Sequence, residues 1–287
     1  MPRISIAMAY RDRKRQFVRT LRSIAASSLA RDVEVVVADD ASRPEERLED
    51  LVLASPFPLR VIRLDPEDRW WVNPCIPFNR AIAACSGELL IVQNPECLHF
   101  GDVLQDAQAR VGSQDYVAYG CYSLDRRTTE ALGGTHEPGE ETSRAFLERV
   151  RAQVPLLAHA MDCEGGLGWY NHSRFRPCAF HFCAALRRER MSELGGFDER
   201  FAHGVGWDDN ELLARVERRG LTVAIVDEPC VLHQWHYTSG GFGGLGDSDR
   251  GRQAFRRNEI LFRTTTLQET GFRANGDLAA SGEGISK

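Results

Sequence analysis

Hydrophobic and polar positions follow two alternating periods along the N-terminal third of the chain. Four short apolar runs, at 4–9, 33–38, 59–64 and 89–92, have the length and β-branched content of buried strands. Between them, apolar residues recur at helical spacing, which predicts helices from Phe17 to near Ser27, over 45–54 and over 79–85. Strands alternating with helices of this length are typical of βαβ units. The pattern therefore predicts an α/β protein with a mixed, mostly parallel sheet flanked by helices.

The rest of the chain has a less regular pattern. Strands are predicted over 180–186 and 223–226, and an amphipathic helix is predicted where Leu212, Leu213 and Val216 share one face. Glycine-rich stretches at 133–141 and 165–171 read as loops, and the stretch at 240–246 is a candidate for a mobile lid. From about Ala274 the residues turn small and polar, which predicts a frayed tail.

Composition and charge narrow the class of protein. With 287 residues, 43% of them hydrophobic, the chain can bury one sizeable core or two small ones. A net charge of −5 and the lack of a long basic run argue against a nucleic-acid partner. Early charged residues exclude a signal peptide and no apolar run is long enough to span a membrane, so a cytoplasmic protein is expected. The eight cysteines form no CxxC pair and read as reduced, mostly buried thiols.

Polar residues follow three of the predicted strands. Tyr10 and Arg11 follow the first, Asp39-Asp40 closes the second, and Asn94-Pro95-Glu96 follows the fourth. Because parallel sheets bind ligands beyond the carboxyl ends of their strands, these residues predict a binding site at one edge of the sheet.

A second group of acids stands at a predicted helix start. Asp208, Asp209 and Glu211 follow Trp207, which has a glycine on its N-terminal side. One acid would suffice to cap a helix, and the plain reading is a capped, charged helix start. A tryptophan beside several carboxylates also suits a sugar site, where the indole covers a pyranose face and a carboxylate takes a hydroxyl proton.

Four motifs in order give the chain a family resemblance. They are the strand at 4–10, the strand and acids at 35–42, the helix, Gly-Glu turn and strand at 78–92, and residues 195–199 with 208–211. Together they resemble an inverting glycosyltransferase of the GT-A (Rossmann-like) fold in the large bacterial family two. The motif at 195–199 with 208–211 is closest to the one in chondroitin-polymerase-like and polypeptide GalNAc-transferase-like catalytic domains. The resemblance covers roughly residues 3–240. It implies a single catalytic domain over 1–270, with a nucleotide-sugar half at 1–100, an acceptor half at 101–270 and a flexible tail at 271–287.

The resemblance implies a donor pocket at the first strand ends. Tyr10 and Arg11 would face the nucleotide base, and the carboxylates of Asp39 and Asp40 would accept from the uracil N–H and the ribose, which favours a UDP-sugar. By the same resemblance, Asn79 and Arg80 would contact the diphosphate or the sugar. Plainer roles stay open: Asp39 as a cap near Ser42, Arg80 in a surface ion pair, and Trp70-Trp71 as packing instead of a sugar contact.

The resemblance also implies a divalent metal, Mn²⁺ or Mg²⁺, at Asn94-Pro95-Glu96. The family has Asp-x-Asp here, and this chain replaces the first acid by an amide; Glu96 and Asn94 still offer oxygen ligands suited to a hard cation. A simple turn at Pro95 is the alternative. His233, with His236 in reserve, matches the family's late histidine and is expected as a further ligand.

The implied chemistry is a single displacement with inversion. Asp209 would take the proton of an acceptor hydroxyl on a glycan, lipid-linked or protein acceptor, while Asp208 and Trp207 position a sugar and Glu211 orients the base or faces solvent. Aromatic residues at Trp169-Tyr170 and Phe242 leave acceptor, subunit and peripheral membrane contacts open. Two rivals remain: a non-catalytic sugar-nucleotide or glycan-binding relative, and a nucleotidyltransferase, which the lack of a glycine in 8–14 disfavours.

Overall fold

The computed structural model of the protein describes residues 3–133, 141–156, 167–236 and 248–276. The predicted lid at 240–246, Phe242 and Cys163 lie outside these ranges, as do parts of the loops at 133–141 and 165–171. The strands are β1 (Ile4–Tyr10), β2 (Val33–Asp39), β3 (Leu59–Arg63), β4 (Leu89–Gln93), β5 (Cys97–Phe100), β6 (Tyr116–Ser123), β7 (Gly168–Asn171), β8 (Cys183–Arg187) and β9 (Val223–His233). The helices are α1 (Lys14–Ala25), α2 (Glu49–Ala54), α3 (Cys75–Ala83), α4 (Val103–Arg110), α5 (Arg126–Ala131), α6 (Ser143–Gln153), α7 (Arg188–Leu194), α8 (Asp208–Arg218) and α9 (Asp249–Leu261).

These strands form one sheet in the order β3-β2-β1-β4-β8-β6-β9-β5, with β7 beside β6. Strands β1 to β4, β6 and β9 run in one direction, while β5, β7 and β8 run the other way. The sheet is therefore mixed and mostly parallel, and the predicted fold class is confirmed.

Both faces of the first strands are buried, which explains their continuous apolar runs. On one face, Ile6 and Val35 pack in a cluster with Phe17 of α1. On the other face, Ala7 and Val36 pack in a cluster with Phe78 of α3. Burying each large aliphatic side chain contributes roughly 1.5–3 kcal/mol, so the two helix layers hold the sheet from both sides.

A short connection curls the sheet. Residues 94–96 alone join β4 to β5, although β8, β6 and β9 lie between them in the strand order. The sheet must curve to bring β5 back, and α1 packs on that strand. Because Cys97 pairs with His233, the curl sets Glu96 beside the end of β9.

Several predicted boundaries are corrected by the structure. Strand β9 continues to His233 instead of ending at 226, because residues 227–229 bulge out between the pairs Tyr119–Val226 and Gly120–Cys230. The helix predicted over 45–54 is a short 3₁₀ turn followed by α2 alone. The helix predicted over 79–85 begins earlier, at Cys75.

The described start of the predicted tail is held in place. The Asn275 amide donates to the carbonyls of Gly195 and Phe197 at 2.7 and 2.6 Å. Gly195 has a φ of 76°, and a Cβ there would lie 2.9 Å from the backbone N of Asn275, so the close approach needs glycine.

The structure also bears on membrane-spanning helices and on the cysteines. No helix in the described ranges is long and apolar enough to cross a membrane. The seven described cysteines are free thiols, and all but Cys178 are buried.

Candidate active site

The predicted residues meet at one edge of the sheet, the edge where β1, β2, β4 and β9 end. The strand order reverses between β1 and β4, and a crevice at such a point is the usual ligand site of an open α/β sheet. The antiparallel strand β8 begins at the same edge, so the residues just before it also face this crevice.

Asp39 and Asp40 are engaged by basic and aromatic side chains. Asp39 is fully buried; its Oδ1 accepts from the Ser42 backbone N–H at 2.9 Å and its Oδ2 from Arg63 at 3.0 Å. Asp40 accepts from the indole of Trp71 at 2.8 Å and from Arg69 at 3.1 Å. Asp39 thus closes a local turn with Ser42 and caps no helix, because the 3₁₀ turn that follows begins at Pro44 and has no side-chain cap. Of the two acids, only Asp40 keeps some exposure, at 8%.

The other expected donor-pocket residues have different surroundings. Tyr10 is 1% exposed, and its hydroxyl donates to the Glu46 carbonyl at 2.6 Å, so its ring packs below the crevice. Arg11 is half-exposed and lies 3.8 Å from Asp40. The Asn79 amide is engaged at both ends, by the Phe197 carbonyl and N–H at 2.9 and 2.8 Å. Arg80 is exposed on α3.

Glu96 forms a compact group with two histidines and an arginine. Its carboxylate is buried, with Nε2 of His233 at 3.1 Å and Nε2 of His236 at 3.5 Å from the same oxygen, Oε1. Arg13 donates to the other oxygen, Oε2, at 2.7 Å. Burial alone would raise the pKa of Glu96, but the Arg13 charge and the two imidazoles hold it well below its usual value.

The donor set of this group fits a divalent cation. One carboxylate oxygen and two imidazole nitrogens lie within 4.8 Å of one another. Burial and the Arg13 charge lower the pKa of His236, which keeps the imidazole neutral, the form in which it ligates metals. The backbone of Asn94 is fixed through its N–H to the Phe182 carbonyl at 3.1 Å, and no contact of its side chain places that amide among these ligands.

Asp208 and Asp209 open α8 and have separate partners. Asp208 is 7% exposed and accepts from the Asn73 amide at 2.7 Å. Burial, followed by the charge of Asp209, raises the pKa of Asp208. Oδ1 of Asp209 accepts from the His181 backbone N–H at 2.9 Å and lies 2.6 Å from Nδ1 of the same histidine. No hydrogen bond to Oδ2 of Asp209 is made within the described part of the chain, so this oxygen is open to a ligand.

The two groups are joined through two consecutive residues. His181 contacts Asp209, while the ring of its neighbour Phe182 lies 5.8 Å from the His233 ring. Both residues belong to the turn just before β8. The Glu96 group and the Asp209 group therefore contact neighbouring residues of one turn.

A loop at 69–73 connects the two Asp-Asp pairs. Arg69 and Trp71 donate to Asp40 at its start, and Asn73 donates to Asp208 at its end. Trp71 is buried in this arrangement, whereas Trp70 is 52% exposed and lies against His203, with ring centroids 4.4 Å apart and the ring planes tilted by 35°. The two tryptophans therefore differ. Trp71 packs in the interior, and Trp70 is the one that is exposed enough to contact a sugar.

Three other predicted residues mainly pack. The Trp207 ring lies against Phe255 and Phe262 of the α9 region, at 5.7 and 5.2 Å. Glu211 is 1% exposed, and its two oxygens accept from Arg215 at 2.5 and 2.6 Å, so it does not face solvent. Trp169 is 3% exposed, and the expectation of an exposed aromatic there is wrong.

Backbone strain concentrates around the crevice. Among the described residues, Asp12, Ala41 and Trp207 are the non-glycine residues with positive φ, at 48°, 57° and 68°. Asp12 precedes Arg13, Ala41 follows Asp40, and Trp207 precedes Asp208. Such conformations cost of order 1–3 kcal/mol each and persist mostly where function requires them.

A cavity of about 570 Å³ lies at the opposite edge of the sheet, where β1 and β4 begin. Arg3, Ser86, Gln108 and Arg187 are among the residues that line it, and no predicted site residue does. Its place at the amino ends of the strands separates it from the acids described above.

Three residues of the crevice were missed in the sequence: Arg13, Asn73 and His181. Each is far from its partner along the chain, so no local spacing signals the contact. The one available signal was the unpaired Asp-Asp step at a helix start, which calls for a donor from elsewhere.

Comparisons with known proteins bear on the fold. No protein-family model matches this sequence, and no curated protein matches it. The structure is similar to the mannosyltransferase PcManGT from Pyrobaculum calidifontis in complex with GDP-Man and Mn²⁺, at 18% identity and a TM-score of 0.53, over 83% of this chain and 59% of that one. It is also similar to S. aureus TarS 1–349 in complex with UDP-GlcNAc, at 13% identity and a TM-score of 0.57, over 93% of this chain and 75% of that one.

The extent of these matches limits what they carry. This chain spans 59% of the mannosyltransferase and 37% of the longer S. aureus TarS chain. At identities of 13–18%, the likeness shows a shared fold, and the chemistry of this chain must be argued from its own site residues. The chain has the glycosyltransferase fold of these proteins.

Proposed function

We propose that the protein is a glycosyltransferase that moves a sugar from a nucleotide-sugar donor, with UDP as the preferred nucleotide, to a hydroxyl acceptor with inversion. The observation that carries the proposal is Asp209. It lies at the carboxyl edge of a glycosyltransferase-type sheet, with one carboxylate oxygen fixed by His181 and the other open.

The arrangement supports Asp209 as the general base. It lies in the first turn of α8, where helix N–H groups and the helix dipole interact favourably with negative charge. A single base facing a hydroxyl suits direct displacement, in which the acceptor attacks the anomeric carbon opposite the leaving nucleoside diphosphate. Asp208, held by Asn73, would position the sugar.

The donor would lie between the Asp40 group and the Glu96 group. Arg11 and Arg69 both lie near Asp40, and their guanidinium groups would attract the negative charge of a nucleotide. The structurally similar proteins are complexed with UDP-GlcNAc and with GDP-Man, so uridine and guanosine nucleotides are the two donors to compare.

Glu96, His233 and His236 would hold a divalent cation, with Mn²⁺ as the first to test. Such an ion supplies positive charge against the donor diphosphate. Arg13 adds a second positive charge at the same place, because it already pairs with Glu96. We therefore expect metal to strengthen nucleotide binding and Arg13 to keep a fraction of it in the absence of metal.

Calorimetric titration of UDP, GDP and CDP, with and without Mn²⁺, tests the proposal. We expect UDP to bind most tightly and Mn²⁺ to raise its affinity; release of UDP from UDP-GlcNAc then reports turnover with water as acceptor. Binding without turnover in a screen of UDP-sugars would favour the non-catalytic relative. No binding of any nucleotide would overturn the proposal.

A further inference from the structure

We infer that His181 is a positioning residue for the base: it fixes one oxygen of Asp209 and leaves the other directed to the acceptor. The inference deepens the proposed function and rests on Asp209 as the base. It concerns a residue that no sequence motif of the chain singles out.

His181 contacts the same atom, Oδ1 of Asp209, through both its backbone and its ring. Its backbone N–H donates to Oδ1 of Asp209 at 2.9 Å, and its ring Nδ1 lies 2.6 Å from that oxygen. The first contact is a hydrogen bond and the second an ion-pair contact; together they hold Oδ1 in place, and Oδ2 accepts no hydrogen bond within the described part of the chain. The Asp209 side chain keeps 26% exposure, whereas His181 keeps 6%. A substrate can therefore reach the acid and not the imidazole.

The histidine is itself held on all sides. Its ring packs edge-on against Phe78 at 5.0 Å and Phe197 at 4.6 Å. The two residues before it are tied by their carbonyls, which accept from the Tyr116 hydroxyl at 3.2 Å and from the Asn171 amide at 2.8 Å. A side chain held this firmly transmits its position to its partner.

The charges around the pair explain why a cation is needed there. Asp208 and Asp209 are adjacent acids, and Asp208 is buried, so two negative charges would repel in a dry setting. The titratable groups that face these acids from other elements are the Tyr116 phenol of β6 and the Cys75 thiol of α3. Burial raises the pKa of both, so each stays neutral. Within the described part of the chain, His181 is the one titratable cation beside Asp209.

The direction of titration agrees with this geometry. Burial would lower the pKa of His181, but the charges of Asp209 and then Asp208 raise it above its usual value of 6.5. In the transfer step, the acceptor O–H bond breaks, its proton goes to Oδ2 of Asp209, and its electron pair forms the bond to the anomeric carbon. The nucleoside diphosphate leaves with the electrons of the broken C–O bond, and His181 keeps its own proton throughout.

Two substitutions separate position from charge. His181→Asn can place its amide nitrogen near the position of Nδ1 but carries no charge, whereas His181→Phe keeps a ring and loses the donor. His172→Asn is the matched control, because His172 also lies near an aspartate, Asp227 at 3.6 Å, away from the crevice. Thermal unfolding of each variant shows whether it is folded.

UDP release from UDP-GlcNAc and GDP release from GDP-Man, followed from pH 5 to 9, give the kinetic readout. We expect His181→Phe to lower kcat about 100-fold with little change in KM. We expect His181→Asn to keep most of kcat, because its amide can still donate to Oδ1 of Asp209. Wild-type kcat in His181→Phe would overturn the inference.

NMR of the histidine side chains gives a readout that does not depend on turnover. We expect the His181 signal, identified by its loss in His181→Asn, to titrate above pH 6.5 in the wild type and lower in Asp209→Asn. An unchanged titration in Asp209→Asn would overturn the inference even if the protein transfers sugar. Failure of all nucleotide binding with a shifted His181 would refute the proposed function and leave the His181–Asp209 pair standing.

Discussion

The chain contains two Asp-Asp pairs at the ends of buried elements, and their surroundings differ. Asp39-Asp40 closes β2 and contacts arginines, Arg63 on the first acid and Arg69 on the second. Asp208-Asp209 opens α8 and contacts an amide and an imidazole, Asn73 and His181. Arginine remains charged at every accessible pH and its fork fills carboxylate oxygens, whereas the second pair retains a titratable partner and an open oxygen.

This difference suits the two pairs to different roles. A carboxylate held by arginine is a fixed charge, suited to shaping a pocket wall. A carboxylate beside a histidine, with one oxygen open at the first turn of a helix, is suited to exchange a proton. Under the proposed function the same dipeptide would therefore have two roles, set by residues distant in the chain.

The sharpest test of the comparison is Asp209→Asn. We expect turnover of UDP-GlcNAc to fall about 10³-fold, because the general base is lost, while UDP affinity stays within about twofold. Product release and calorimetry measure the two effects. Asp249→Asn, in the first turn of α9 and exposed, is the matched control and should keep full activity.

Asp39→Asn should act on stability instead. Removing the charge takes the buried partner from Nη1 of Arg63, while Glu49 still pairs with Nη2, and we expect the free energy of unfolding to fall by about 2 kcal/mol. Urea unfolding measures it. Asp50→Asn removes an exposed partner of Lys14 and should cost less than about 1 kcal/mol. Equal losses in the two variants would mean that Asp39 is not a structural anchor.

Glu96→Gln tests the proposed cation site, which lies apart from both Asp-Asp pairs. We expect the affinity for Mn²⁺ to fall at least tenfold and the metal dependence of UDP binding to disappear, since an amide oxygen is a weaker ligand than a carboxylate. Metal titration by calorimetry decides it. Glu130→Gln, in an exposed ion pair with Arg126, is the control. Unchanged metal dependence would place the cation elsewhere.

The smallest expected effect is a pH dependence of stability. Because the folded pKa of His181 is raised above 6.5, its contribution is fully present below pH 6.5 and is lost as pH rises through the folded value. Urea unfolding at pH 6 and pH 8.5 should show a decline in the wild type that is weaker in His181→Asn. Asp39→Asn should keep the wild-type decline, because Arg63 does not titrate in this range.

The N-terminal strands were predictable because a strand that is buried on both faces is apolar at nearly every position. Runs such as 33–38 and 89–92 are apolar at every position, and the observed strands begin at the same residues. Strand β6 is equally buried but contains Tyr116, Gly120 and Ser123, so its pattern did not separate it from a loop. The end of β9 was missed because two acids and a proline lie within its bulge.

The site was predictable only where its chemistry is local in sequence. Asp208-Asp209 stands out by itself, and Glu96 stands out by following a strand. Their partners do not: His181 is 28 residues from Asp209 and Arg13 is 83 from Glu96. Asn79 and Glu211 were expected at substrate, whereas their hydrogen bonds are internal, a distinction that depends on the folded backbone.

The two residues before β8 limit how the sequence can change in related proteins. His181 contacts the Asp209 group and the adjacent Phe182 contacts the Glu96 group, in the turn just before β8. An insertion or deletion of one residue there would break one of the two contacts, because the pairing of β8 with β4 fixes the place of the turn. Related chains that keep the same chemistry should therefore vary freely in loops elsewhere, yet hold the spacing between this step and the strand constant.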